Sequence, residues 1–430
     1  MPATGPDPAP QKSSLGRALR HRNYRLFFAG QSLSLIGTWL TRVATSWLVY
    51  RLTGSTLALG VVGFAGQIPT FVLAPFAGVW VDRWNRHRVL VATQTLAMLQ
   101  SAALAALALS GRINVSSVLA LSMLQGLINA FDVPARQSFV VQMVNDREDL
   151  PNAIALNSSI VNAARLLGPS IGGILIAMVG EGWCFFIDAV SYLAVIGSLL
   201  AMRIAQAPRA RGQQRLWVEL KAGFRYAVDF TPIRNVLLLL ALVSFMGMPY
   251  TVLMPAIATR ILHGGAHTLG FLMAASGIGA LGGTLYLASR KSVVGLGRVI
   301  VLSSAGFGLG LVAFSRSHSF WLSFAVLIPT GLGMMVQMAA SNTVVQTLVD
   351  EDKRGRVMSF FAMAFFGTLP FGSLFAGAMA DRFGAPNTVA IGGLTCIGGA
   401  LLFHRALPAL RRLARPVYVR LGILTDVADE

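Results

Sequence analysis

Twelve long apolar runs dominate this chain, and no water-soluble fold can bury them all. They cover residues 26–50, 57–81, 88–110, 115–141, 153–179, 183–203, 235–259, 267–289, 296–315, 319–348, 357–380 and 388–408. A bilayer-spanning helix needs about 20 mostly apolar residues, and in hydrocarbon a helix satisfies its own backbone polar groups. Each run meets that length, and the longer ones require tilt or extension past the membrane surface. Charge content agrees: 12% of residues are Asp, Glu, Lys or Arg, against roughly 25% in a soluble domain. With 55% hydrophobic residues and a mean hydropathy of +0.65, the chain lacks the polar surface to cover itself in water. The expected architecture is an all-α membrane protein of twelve transmembrane helices in two six-helix repeats.

The net charge of +18 is spread in short clusters between apolar runs, not gathered into a basic domain, which argues against nucleic acid as a partner. The clusters set an orientation instead. Of 35 Lys and Arg, only Arg51, Arg112, Arg260, Arg316 and Arg382 fall on the side opposite the termini, while Arg42, Arg136 and Arg165 lie within helices. That asymmetry places both termini in the cytoplasm and the chain in the inner membrane. The Pro-rich start, MPATGPDPAPQKSS, is followed by a run long enough to span, so it is read as a tail and not a signal peptide. Cys184 and Cys396 both sit inside apolar runs and are expected to be free thiols.

The organisation follows: a tail over 1–22, a six-helix half over 23–203, a cytoplasmic loop over 204–234, a second half over 235–408 and a tail over 409–430. Within the loop, Leu216, Trp217, Leu220, Phe224 and Ala227 share one face at helical spacing, with Arg215, Glu219, Lys221 and Arg225 off it. This predicts an amphipathic helix at the membrane surface. The halves look like repeats. One constant offset aligns Gly78 with Gly282, Arg86 with Arg290, His87 with Lys291, and Gly168, Gly173 and Gly180 with Gly372, Gly377 and Gly384. The same offset lays SFVVQMVND, from Ser138, on NTVVQTLVD, from Asn342. Parallel repeats of this kind place a substrate site between the halves near the midplane.

Two motifs carry a family resemblance. Gly78, Asp82, Arg83, Arg86 and Arg88, between the second and third runs, resemble the Gly-x-x-x-Asp-Arg-x-x-Arg loop of the major facilitator superfamily, with Asn85 at its second glycine. Asn tolerates a left-handed turn. Glycine allows two helices to approach closely, and a carboxylate there can complement the N-terminus of a helix from the other half. The resemblance implies a latch that holds the cytoplasmic side shut. In the second half Tyr286 stands where the acid would be, so no equivalent latch is expected there. In the fifth run, Ala155, Ala164, Gly168, Pro169, Gly172 and Gly173 resemble the antiporter motif of proton-coupled exporters, with alanine at two glycine positions. The eleventh run has Pro370, Gly372 and Gly377 but no Gly-Pro pair. From about residue 20 to 405 the chain also resembles bacterial exporters of the enterobactin (siderophore) group. That implies an exporter of a small amphipathic molecule, working as a monomer by proton antiport with alternating access.

Ionisable residues at membrane depth are costly and invite function. Asp132 and Arg136 stand four apart on one helical face. Asp132 is the first candidate for a proton-carrying carboxylate, with a structural ion pair as the alternative, and Arg136 is near enough to the cytoplasmic end to reach Asp82. Asp188 is a second candidate, although its place near an outer helix end also suits capping. Arg165 should face other helices and could bind an anionic group. Arg42 is the remaining one. In the fourth run Gln125-Gly126 match an arginine motif of the superfamily, but Ser122 replaces its arginine. In the tenth run Gln337, Asn342 and Gln346 are polar points beside Met334, Met335 and Met338, which either line a cavity or pack as core. No nucleotide-binding loop, His-x4-Asp pattern or metal-ligand cluster is present in the sequence, so neither a cofactor nor an enzymatic step is expected. An uptake symporter and a transport-inactive sensor are the alternatives.

Overall fold

The computed structural model describes residues 16–144, 146–203, 225–226, 228–290, 292–351 and 353–423. Its long helices are α1 (Arg22–Thr53), α2 (Thr56–Arg83), α3 (Arg86–Leu109), α4 (Val115–Met143), α5 (Leu150–Val179), α6 (Glu181–Leu200), α7 (Thr231–Arg260), α8 (Ala266–Ser289), α9 (Leu296–Arg316), α10 (Phe320–Leu348), α11 (Arg354–Phe383) and α12 (Ala385–Arg420). Eleven are long and apolar enough to cross a membrane. The twelfth, α1, carries Arg22, Arg25, Arg42 and Arg51 and packs against α5 and α6. The surface amphipathic helix expected over 215–227 lies outside the described residues apart from Arg225 and Tyr226.

Helix ends follow local chemistry. Ser55 caps α2 by accepting from Ala58 N at 3.2 Å, and Asn114 and Ser117 form a reciprocal capping box on α4. The α5–α6 and α11–α12 turns use Gly180 at φ 87° and Gly384 at φ 82°, a region that strains any side chain. These two glycines are partners under the repeat offset, so the halves share a turn as well as a pattern. Residues 409–420 of the expected tail are helical. α12 runs on to Arg420, because Arg405, Arg411, Arg412 and Arg415 are sound helix formers that a hydropathy reading discards.

Helices α7 and α11 hold a feature that apolar periodicity does not reveal. Each contains a five-residue π-turn, Val243–Gly247 and Met363–Gly367. Each turn is followed by a proline, Pro249 or Pro370, whose missing N–H leaves a carbonyl free upstream. The Phe365 carbonyl accepts from Ser244 Oγ at 2.5 Å, tying α7 to α11. The Phe245 carbonyl lies against Gly372, where a side chain would collide with it.

The halves meet along only part of their length. At the end away from the termini, Gly173 of α5 faces Gly270 of α8, and a methyl on Gly173 would stand 2.9 Å from the Gly270 Cα. Likewise Gly377 of α11 faces Gly60 of α2, with 2.8 Å left for such a methyl. Thr56 Oγ1 donates to the Gly377 carbonyl at 3.3 Å, and Arg260 Nη2 donates to the Gly54 carbonyl at 2.7 Å. Here one buried apolar cluster joins both halves, from Leu40 and Val62 to Ala256 and Ala376. At the terminal end a separate cluster of Tyr24, Val81, Phe139, Met143 and Leu199 contains first-half residues only. The cleft between the halves is therefore closed at the far end and parted at the terminal end.

At the terminal end each half pins its own chain terminus. Asp149 holds His21 at 3.0 Å and Arg17 at 3.7 Å. Asp350 accepts from Arg420 Nη2 at 2.8 Å and Tyr226 Oη at 3.2 Å, and the Arg420 hydrogen bond holds its carboxyl below the usual range.

Candidate functional site

The loop between α2 and α3 sits on the parted side of the cleft. Gly78 lies within α2, and a Cβ there would meet no atom within 4 Å. The close helix approach expected at Gly78 is thus absent in this structure. Asp82 falls in the last turn of α2, and its side chain lies outside the described residues. Arg83 and Arg88 are exposed and Arg86 is half-buried. Asn85 corrects another expectation. Its φ of −72° is an extended conformation, and its side chain accepts from Arg88 N at 3.1 Å to cap α3. Beside this loop Trp80 and Trp84 stack on Phe131 of α4, with centroids 6.0 and 6.1 Å away.

The glycines of α5 act as a two-sided seam. Gly168 and Gly172 fit against Trp39 and Leu40 of α1, inside the half. Gly173 fits against Ala266 and Gly270 of α8, across to the other half. Pro169 and Ala164 are buried between them. Pro169 frees the Arg165 carbonyl, and Gly277 of α8 leaves 3.3 Å for a methyl beside it. Although α11 lacks the Gly-Pro pair, Gly377 makes the corresponding contact with Gly60.

Asp132 is 2% exposed and fully partnered. Its Oδ1 accepts from Thr93 Oγ1 at 2.9 Å and Gln94 Nε2 at 2.7 Å, and its Oδ2 pairs with Arg136 one turn on. Asp188 differs. It is 1% exposed inside the bundle, facing α1 and α3, which overturns the capping reading. Gly37 on α1 makes room for it, since a Cβ there would stand 2.6 Å from Asp188 Oδ1. Thr41 Oγ1 and Ser101 Oγ each donate to Oδ2 at 2.7 Å, while the buried Oδ1 has no hydrogen-bond partner. No cation pairs with it among the described residues. Sequence reasoning missed Thr41 and Ser101, because single hydroxyls in apolar runs are common.

Arg42 and Arg165 come together on a residue the sequence reading did not single out. The Arg42 guanidinium lies 4.7 Å from the centroid of Trp39, and that of Arg165 lies 6.0 Å from the same ring. Of the polar points on α10, Asn342 and Gln346 line a cavity of about 650 Å³ at the terminal end with Asp350, Arg354 and Arg420. Gln337 is buried, its Nε2 3.4 Å from Ser341 Oγ, and Met334 and Met335 are buried with it.

Comparison with known proteins agrees with this architecture. A family model described as transmembrane secretion effector matches residues 13–415. The chain is 26% identical over 383 residues to a staphyloferrin A transporter of Staphylococcus aureus, covering 88% of this chain and 95% of the relative. It is 29% identical to the multidrug efflux pump Tap of Mycolicibacterium fortuitum, covering 82% and 88%. It is 24% identical to the enterobactin exporter EntS of Citrobacter koseri, covering 92% and 94%. Among solved structures, a bacterial homologue of the human lysosomal transporter Spinster superposes with a TM-score of 0.67 at 16% identity, covering 96% of this chain and all of that one.

Proposed function

Because the chain belongs to the transmembrane secretion effector family of the major facilitator superfamily, we propose that it is a secondary active exporter of a small amphipathic molecule, driven by proton antiport. The observation that carries this is the cleft itself. Two six-helix halves touch through paired glycine seams at one end and part at the other, which is one state of an alternating-access cycle. The siderophore and drug exporters among its relatives support the same substrate range. The excess of Lys and Arg at the terminal end supports cytoplasmic termini in the inner membrane. The state described is then open to the cytoplasm, ready to load. We assign the protein no enzymatic step, and take the monomer as the working unit.

Gly78, Asp82, Arg83, Arg86 and Arg88 are the latch of the opposite state, remade when the cytoplasmic ends close. Asp188, not Asp132, is the proton carrier in this reading. Releasing Asp132 for protonation breaks an ion pair and two hydrogen bonds, whereas Asp188 has a free oxygen and no cation to abandon. The test is a flux assay in proteoliposomes with an imposed pH gradient and a panel of siderophores and lipophilic dyes. Asp188→Asn is expected to abolish gradient-driven movement of the transported compound while leaving downhill exchange. Full gradient-driven transport by Asp188→Asn would remove it from this role, and wild-type protein that moves no compound would count against export.

A further inference from the structure

Two arginines in the first half have no counter-ion among the described residues. Arg42 and Arg165 form no ion pair and no hydrogen bond with any described residue, and both guanidinium groups lie against the ring of Trp39. They lie close enough to repel each other. By helical rise, Arg42 sits roughly 16 Å in from the end of α1 at Thr53, too deep for a headgroup lying at the membrane surface. Arg136, the other arginine within a span, has Asp132. A cation–π contact is weak and supplies no counter-charge for two guanidinium groups. Despite its depth Arg42 is exposed, and the face of α1 packed on α6 through Gly37 and Thr41 is a different one. Tyr250 of α7 lies within electrostatic reach of Arg165, and Gly277 of α8 packs on the Arg165 backbone. The pair therefore stands where the halves meet.

We propose that Arg42, Trp39 and Arg165 form a clamp for an oxyanion, and that the exported molecule is an organic anion carrying a carboxylate beside an apolar or aromatic body. Guanidinium forks match carboxylate geometry, and the indole offers a flat face to the adjoining ring or chain. The substrate class rests on the exporter reading, but the clamp is testable without a gradient. Purified protein in nanodiscs of phosphatidylcholine is titrated with phthalate, salicylate and citrate, each beside its neutral ester, and Tm is followed. At least one carboxylate should raise Tm saturably while its ester does not. Arg42→Gln and Arg165→Gln should each weaken that binding about tenfold or more, and the lysine variants should weaken it less. Without ligand, both glutamine variants should match or exceed the wild-type Tm, since each removes an unpaired charge. No shift by any carboxylate, or unchanged affinity in the glutamine variants, overturns the clamp. Competition from phosphatidylglycerol added to the nanodiscs would assign the site to a lipid phosphate and overturn the substrate class. Carboxylate binding without gradient-driven flux would leave the clamp standing and sink the export reading. Export of neutral dyes by protein that binds no carboxylate would do the reverse.

Discussion

The first half carries its interior polarity as charge; the second carries it as backbone. Arg42, Asp132, Arg136, Arg165 and Asp188 all lie within the spans of α1, α4, α5 and α6. The middles of the second-half spans hold no Asp, Glu, Lys or Arg, and their buried polar groups are hydroxyls and amides such as Ser244, Ser276, Thr330, Gln337 and Ser341. Conversely, α1 and α5 run as unbroken α-helices, while α7 and α11 each contain a π-turn before a proline. An unbroken helix packed through glycine seams is a frame. A helix with an interrupted hydrogen-bond ladder has a place to bend. The repeat thus holds two unlike halves, one with charge in its interior and one with interrupted helices.

Changes aimed at each half should break or sharpen this contrast. The largest loss of stability is expected from Asp132→Asn, which strands the Arg136 charge and costs about 3 kcal/mol. Thermal unfolding should show it, and the double variant with Arg136→Gln should recover most of the loss. By contrast, Gln337→Leu in the second half should cost only about 1 kcal/mol, the size of a neutral hydrogen bond. An equal cost at both sites would erase the distinction between charged and uncharged interiors.

The seams should behave alike, because both are glycine on glycine. Gly173→Val and Gly377→Val should each overpack the far-end seal, favouring its opening by about 1–3 kcal/mol. Thiol labelling of a cysteine introduced at Thr56, which is buried in the closed seal, would report that opening. A response from only one variant would make the seal the work of one half. The π-turns should matter to rate more than to stability. Pro249→Ala or Pro370→Ala restores an N–H donor, so flux should slow while Tm holds or rises. Faster flux in either variant would argue against bending at these turns.

The smallest effect is expected at Asp350. Its carboxyl is held below the ordinary range by Arg420, so its stabilising contribution is present above about pH 4 and fades as pH falls through its lowered native value. The side chain is about a third exposed (34%) and solvent screens the pair, so the change is slight. Comparing Tm at neutral and acid pH for wild type and Asp350→Asn should show a slightly larger fall in the wild type. An identical pH response in both would remove Asp350 from the pinning of α12.

The helices were legible because apolar length is a direct demand of the bilayer, and each observed span overlaps its expected run closely. The far-end seam was legible as a pattern of small residues at Gly173 and Gly377, although not which helix each would meet. The π-turns left a weaker trace: Phe-Met-Gly before Pro249 and Phe-Phe-Gly before Pro370. Hydropathy weighs residues singly and passes over such a pairing. The placement of Asp188 was misjudged because distance from a helix end does not tell which face a residue occupies. Its partners, Thr41 and Ser101, come from α1 and α3, and only packing brings them together. Trp39 shows the same limit. Its value lies in being shared by Arg42 and Arg165 from different helices.

Where glycine meets glycine, two backbones touch with no side chains interleaved. Parting them breaks dispersion contacts of about 0.1–0.2 kcal/mol per atom pair, together with the bonds from Thr56 and Arg260, the Arg260 contact with the Tyr50 ring and the Phe64–Phe371 ring contact. At the glycine contacts themselves no rotamer has to turn. The far-end seal is in this sense a low-friction bearing. If that bearing sets the pace, turnover should slow measurably in more viscous lipid, with no single residue of the cleft changed.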